Sequence, residues 1–377
     1  MGKKRLFHNY LFVFGFVYYL ICPFILGYYN SFEDYPGMQL FYANYPREDK
    51  MSLYIILCFL LLISFFIGSL SALFFTKNVN YNKEHVVNGV FKVKRWFIVL
   101  LLIFDNYYIL SNRSILFTGY SNEYSTAFLG GIATFNNIFL FLWLYTRFSK
   151  DKIGKFLLFL LLENSIILLG MGSRMFVLIP VISFLIFLID NHKITKKTIS
   201  ILSLILVLLF LCIGVLRENN EVSFEALAFI GCAEPMFTWI SASSFVNYNA
   251  NINLIEFPSH FIGTFISIIP SVLLPNKGDF INEIPYYIET PLGACSIIPL
   301  IYGNFGLFGA PVMMFLAGFL LTVLRYKKGI FSMCYYYCCC SVIPFLLFRD
   351  MQSTNKLIFS VFLIYPAIAI IRFIKAK

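Results

Sequence analysis

Three arginines, Arg174, Arg217 and Arg349, fall at the ends of apolar runs in this 377-residue chain. Arginine keeps its charge and meets phosphate oxygens through two parallel N–H donors. Arginines at one membrane face with apolar helices behind them therefore suit an anion held at that depth, such as a diphosphate carried by a lipid. Arg174 ends the stretch Gly170-Met171-Gly172-Ser173-Arg174, a very short turn between two apolar runs. Glycines permit close backbone approach there, and the N-terminus of the following helix adds positive potential. A cation snorkelling at a helix end is the other reading of Arg174. Arg349 precedes Asp350 and can equally pair with it or with a neighbour. Lys277 offers a fourth charge.

The stretch from 217 to 305 holds acids and aromatics: Glu218, Glu221, Glu225, Glu234, Asp279, Glu283 and Glu289, with His260, Tyr286, Tyr287 and Tyr302. Aromatic faces stack on the apolar faces of sugars while carboxylates accept their hydroxyl hydrogens, so Tyr286, Tyr287, Tyr302 and nearby Asn304 are sugar-binding candidates. Solvated loop acids are the plainer reading of Glu218, Glu221 and Glu283. Glu289, just before Thr290-Pro291-Leu292-Gly293, and His260, inside an apolar segment, are the candidates for a base that takes a hydroxyl proton.

Other chemistry finds no footing. There is no phosphate-binding glycine loop, dinucleotide fingerprint, His-Glu-x-x-His helix or Gly-x-Ser-x-Gly elbow. No Asp-x-Asp pair could hold a metal on a nucleotide sugar, so no cofactor and no metal are expected. Of the nine cysteines, Cys22, Cys58, Cys212, Cys334, Cys338, Cys339 and Cys340 sit in apolar runs, where cysteine packs as a small hydrophobe.

The elements that position these residues follow from composition. With 59% hydrophobic, 19% aromatic and 13% charged residues, the chain cannot hide its apolar surface in a soluble core, since soluble domains carry about 25% charge. Spans of about 20 apolar residues are expected near 8–29, 51–75, 96–111, 128–147, 156–171, 175–190, 199–216, 306–324, 330–348 and 357–374. The semi-apolar stretches 224–247 and 257–275 are a further pair of spans or helices lying along the membrane. The Met-Gly-Lys-Lys-Arg start before an apolar run reads as an uncleaved first span. Lys and Arg in alternate loops account for 21 of 29 basic residues, Arg325 among them, and mark the cytoplasmic side. Both termini then lie in the cytoplasm, and parity gives ten or twelve spans. The net charge of +10 is thus a topology signal and not a nucleic-acid surface. The fold class is all-α: a polytopic transmembrane helical bundle forming a single membrane domain, with 217–305 as an extracytoplasmic or re-entrant region at the site.

Three short motifs carry a resemblance. Gly172-Ser173-Arg174 stands between two apolar helices. Ile268-Ile269-Pro270-Ser271-Val272-Leu273-Leu274-Pro275-Asn276-Lys277 ends a helix in Pro and Lys. Tyr302-Gly303-Asn304-Phe305-Gly306-Leu307-Phe308-Gly309, with Gly318, leads into a late span, and Arg349-Asp350 ends the next one. In these motifs and in topology the chain resembles bacterial O-antigen and oligosaccharide repeat-unit polymerases of the Wzy type. The resemblance implies an oligosaccharide on undecaprenyl diphosphate as substrate, at the outer face of the bacterial inner membrane. Membrane lipids and a chain-length regulator are the implied partners. It also implies inverting glycosyl transfer, with Arg174, Arg217 and Arg349 clamping the departing diphosphate, Lys277 in support, and Glu289 or His260 as base. An O-antigen ligase shares this architecture. A flippase for the lipid-linked unit is the third possibility, for which the intramembrane carboxylates Asp105 and Glu163 make a thin polar path.

Overall fold

The computed structural model describes residues 5–76, 95–116, 126–149, 153–171, 173–191, 223–248, 252–269, 274–281, 293–327 and 329–363, with scattered positions in 194–211 and 284–290. Every regular element among them is helical, as lipid requires of a chain whose backbone groups must be satisfied internally. In order these are α1 (Phe7–Tyr28), α2 (Met38–Ala43), α3 (Glu48–Thr76), α4 (Arg95–Ser111), α5 (Thr126–Ser149), α6 (Gly154–Gly170) and α7 (Arg174–Asp190). Then come α8 (Phe224–Tyr248), α9 (Ser259–Ile266), α10 (Ile297–Tyr326), α11 (Ile330–Val342), α12 (Leu346–Arg349) and α13 (Met351–Ser360). Among the described residues four helices, α1, α3, Phe128–Phe148 within α5, and α10, are long and apolar enough to cross a membrane. The 17-residue helices α4, α6 and α7 rise about 25 Å each, at the short end of a span. This is an all-α membrane protein.

The six expected runs from 8–29 to 175–190 form helices whose ends fall within three residues of expectation. Later ones differ for local reasons. The run 330–348 stops at Val342, two residues before Pro344, and resumes as the single turn α12. Of 257–275, only the eight residues of α9 form an α-helix among the described positions. Most of 199–216 and all of 364–374 lie outside the described residues. Glu48 and Asp49 form the first turn of α3, where carboxylates complement the helix dipole.

The chain divides into two compact units, Met1–Phe75 with His192–Thr322 and Ile343–Thr354, and Thr76–Asn191 with Val323–Val342 and Asn355–Lys377. In the first, the α3–α10 contact is made by glycines. A Cβ added to Gly68 would lie 2.0 Å from the Phe315 carbonyl oxygen, and one on Gly318 would lie 2.1 Å from that of Phe65. Small residues let helix backbones meet in this way. Beside them the buried His8 Nε2 lies 3.1 Å from Thr322 Oγ1. The core of this unit is aromatic: the Trp239 indole N–H donates to the Tyr54 hydroxyl at 2.6 Å, which donates to the Leu20 carbonyl at 2.9 Å.

In the second unit, Arg325 Nη1 donates to Asp190 Oδ2 at 2.8 Å and Nη2 to Oδ1, while the Tyr337 hydroxyl also donates to Oδ2. The Arg325 side chain is only 4% exposed. Sequence reading counts Arg325 as a cytoplasmic loop charge; the structure puts it in a buried bidentate pair. The intramembrane Asp105 is likewise buried and accepts from Asn164 Nδ2 at 3.4 Å.

A break in α10 explains the Asn304-Phe305-Gly306 motif. Gly306 has φ 74° and ψ −176°, a conformation outside the helix that favours glycine. The segment 252–256 is bonded across the break: Glu256 N–H donates to the Phe305 carbonyl at 3.3 Å, Leu307 N–H to that of Asn253 at 2.8 Å, and Phe308 N–H to that of Leu254 at 2.9 Å. A Cβ on Gly306 would lie 2.7 Å from the Asn253 oxygen and 2.8 Å from Ile255 backbone atoms. Gly306→Ala is therefore expected to destabilise the protein by at least the 1–3 kcal/mol or so of a strained φ, read as a lower thermal midpoint in detergent; an unchanged midpoint refutes this account.

Candidate active site

Two prolines in apolar helices create the site. Pro235 lies inside α8 and has no N–H to give the carbonyl of Gly231, four residues back. The Tyr18 hydroxyl donates to that carbonyl instead, at 2.7 Å. In α1, Pro23 follows a π-helical turn, Val17–Ile21, closed by a Cys22 N–H to Val17 carbonyl bond. Such turns occur where a helix must re-aim side chains, and here the consecutive Tyr18 and Tyr19 both reach α8.

Glu234, the residue before Pro235, is the centre of the arrangement. Its Oε1 accepts from the Tyr19 hydroxyl at 2.6 Å and from Arg349 Nη1 at 2.7 Å. Oε2 accepts no hydrogen bond among the described residues. The Arg349 and Glu234 side chains are 21% and 30% exposed, whereas Tyr19 is fully buried. The ion pair thus has a dry floor and an open side.

Arg349 is held from both directions along the chain. It ends α12, and its carbonyl accepts from the Cys295 N–H at 2.8 Å. Asp350 does not pair with it as an isolated dipeptide. It caps α13 instead, with Oδ1 accepting from the Ser353 N–H at 2.9 Å, the N-cap geometry. The guanidinium is fixed, mostly buried with one side open, and beside a carboxylate with one oxygen to spare. Chemically this can hold an anion that competes for the guanidinium and can accept a proton at Glu234.

Three other expected residues gather around α9, in the same unit. Asn304 holds its start: Oδ1 accepts from the Phe261 N–H at 2.8 Å while Nδ2 donates to the Leu300 carbonyl at 2.6 Å. His260 sits partly buried in the first turn. Lys277 holds the other end, donating to the Ser267 and Ile269 carbonyls at 3.3 and 3.0 Å, and partial burial lowers its pKa from the usual lysine value. Tyr302 is fully buried and donates to the Leu57 carbonyl at 2.8 Å. The polar groups of Tyr302 and Asn304 are thus engaged in the fold.

Arg174 is the first residue of α7, in the second unit, after a turn in which the buried Ser173 donates its N–H to the Leu168 carbonyl at 2.8 Å. Arg217, Tyr286, Tyr287 and Glu289 lie outside the described residues. Sequence reasoning missed Tyr19 and did not single out Glu234 from the other acids. The available signal was Glu234-Pro235, an acid beside a proline within an otherwise apolar helix. No group of three or more metal-ligating side chains occurs among the described residues.

No curated protein and no solved structure matches the chain significantly. One family does match, over residues 3–377, and it implies repeat-unit polymerisation, a glycosyl transfer in general. An all-helical membrane chain matched along its whole length in this way belongs to the O-antigen polysaccharide polymerase Wzy family.

Proposed function

We propose that the protein joins oligosaccharide repeat units carried on undecaprenyl diphosphate, at the outer face of the bacterial inner membrane, by metal- and nucleotide-independent inverting glycosyl transfer. The topology that goes with this reading has ten or twelve spans in a single membrane domain, both termini cytoplasmic, and the 217–305 region contributing to the site. A chain-length regulator is a natural partner.

The observation that carries the chemistry is the partly exposed Arg349–Glu234 pair above a buried Tyr19. The growing chain's diphosphate displaces Glu234 from part of the guanidinium, and Arg349 takes up the charge that develops as the anomeric C–O bond breaks. The released carboxylate accepts the proton of the incoming unit's hydroxyl, whose oxygen attacks the anomeric carbon from the opposite face. His260 and Glu289 are the other candidates for this proton. Arg174 and Arg217 are proposed as further cations for the diphosphate, Lys277 as a supporting charge, and Tyr286 and Tyr287 as stacking faces for sugar.

Surface glycan from a deletion strain tests the reaction. Single repeat units in place of polymer fit a polymerase, whereas polymer left on its carrier means a ligase, and units trapped on the cytoplasmic leaflet mean a flippase. Complementing that strain with Arg174→Ala is expected to leave long-chain glycan undetectable with protein still in the membrane. Normal chain lengths would remove Arg174 from the site.

A further inference from the structure

Asp105, on α4, is an intramembrane carboxylate that the proposed reaction does not use. It is fully buried, and a bare carboxylate out of water is costly unless something neutralises it. Among the described residues the ion pairs are Arg325–Asp190 and Arg349–Glu234, and neither involves Asp105. The arginines and lysine of α4, α5 and α6 are Arg95, Arg147 and Lys155, in the first or last turn of their helices. Each stands about 13–17 Å along its helix axis from the level of Asp105. The other carboxylate of these helices, Glu163, is partly exposed.

What surrounds Asp105 is a set of acceptors. Asn164, on α6 and also fully buried, gives Nδ2 to Asp105 Oδ1 at a long 3.4 Å. That contact sets carboxylate and carboxamide side by side. Their other oxygens, Asp105 Oδ2 and Asn164 Oδ1, are buried and have no hydrogen-bond partner among the described residues. A carboxylate oxygen and an amide oxygen can only accept, so neither can satisfy the other unless a positive particle lies between them. A third such oxygen stands at the same depth. A Cβ on Gly154 would lie 2.9 Å from Thr146 Oγ1, so the α5–α6 hairpin sets those two residues opposite one another. Ten residues further into each helix bring Asn136 opposite Asn164. Asn136 is buried too, and neither its Oδ1 nor its Nδ2 has a partner among the described residues.

We propose that Asp105 and Asn164 bind one small monovalent cation, a proton or a sodium ion, between Asp105 Oδ2 and Asn164 Oδ1, with Asn136 as a further ligand at that depth. A proton makes Oδ2 a hydroxyl that donates to Asn164 Oδ1, while Asn164 Nδ2 donates to Asp105 Oδ1 in return. The ring so closed leaves neither oxygen over. A sodium ion takes the same two oxygens and that of Asn136, the kind of ligand hard cations require. Either cation cancels the charge of Asp105 and ties α4 to α6, the helix that precedes Arg174 at the start of α7. The site lies wholly in the second unit and does not rest on the roles proposed for Arg349 and Glu234.

Infrared spectroscopy reads the carboxyl group directly. The full chain is produced with aspartate carrying heavy carbon in its side-chain carboxyl, placed in lipid nanodiscs, and measured at neutral pH in sodium buffer and in choline buffer. If the cation is a proton, an un-ionised carboxylic acid band is present in both buffers, moves with the isotope and with deuterium oxide, and is lost in Asp105→Asn. If it is sodium, that band is absent, and an isotope-sensitive carboxylate band shifts when choline is exchanged for sodium, a shift lost in Asp105→Asn. The asparagine variant should fold, because it keeps a carbonyl for Asn164 Nδ2 and offers an amide donor to Asn164 Oδ1. A wild-type chain whose aspartates show neither the acid band nor a response to sodium overturns the proposal, and that reading needs no variant. Persistence of the signal in Asp105→Asn places it on another aspartate and also overturns the site. Asn164→Leu should shift the acid band or abolish the sodium response; an unchanged signal removes Asn164 from the site.

Discussion

Arg349→Ala is expected to lower the rate of repeat-unit joining by about 10²–10³-fold, the range for removing one preorganised donor to developing charge. Long-chain glycan should vanish while single-unit glycan persists. Arg349→Lys is the sharper variant, because it keeps the charge and loses the planar fork that meets a diphosphate with two donors. It should fall closer to alanine than to wild type. Stability should change little, since Glu234 is 30% exposed and keeps the Tyr19 hydroxyl as a partner. Glu234→Gln retains a carbonyl oxygen for Tyr19 but cannot take a proton, so it should abolish polymer at unchanged membrane abundance. The readouts are glycan length on gels and thermal unfolding of purified protein. Normal polymer from both Arg349→Ala and Glu234→Gln would place the reaction elsewhere.

The largest stability effect is expected at Asp190→Ala. Arg325 would then be left as a charge 4% exposed among apolar helices, and breaking such a pair from one side costs about 3–5 kcal/mol. Replacing both partners with apolar residues, Asp190→Leu with Arg325→Met, should recover most of the loss, because no uncompensated charge remains. Buried thiols supply the measurement. Cys334, Cys338, Cys339 and Cys340 lie in α11 of the same unit, so a thiol-reactive dye reports its opening with temperature. A single variant that melts with wild type would mean that the pair is hydrated in the membrane.

Much of the helical layout was legible because lipid imposes one rule on every span, and a length of apolar sequence is a local property. The breaks were less legible, since each depends on a distant partner. Gly306 leaves the helix because 252–256 approaches it, and nothing near Gly306 in sequence announces that approach. The site shows the same division. Arg349 stood out as a charge at the end of an apolar run, but its partner Glu234 is 115 residues away and Tyr19 is 215 residues from Glu234. Residue type alone suggested Tyr302 and Asn304 as sugar ligands; it did not foretell the hydrogen bonds that they make to Leu57, Leu300 and Phe261. Arg325 looked like a loop charge because Lys327 and Lys328 follow it, and only the three-dimensional position of Asp190 distinguishes it from them.

The break in α10 has one more consequence. In discontinuous membrane helices the freed amides of the second half often face a bound ion. Here the Leu307 and Phe308 amides are already taken by the carbonyls of Asn253 and Leu254. This half-helix therefore behaves as a mechanical clamp on a loop rather than as an ion port. Inserting or deleting one residue between 252 and 256 would put the bonds to Phe305, Leu307 and Phe308 out of step together, so the turn of α10 that follows Gly306 is set by the length of a segment about fifty residues earlier in the chain.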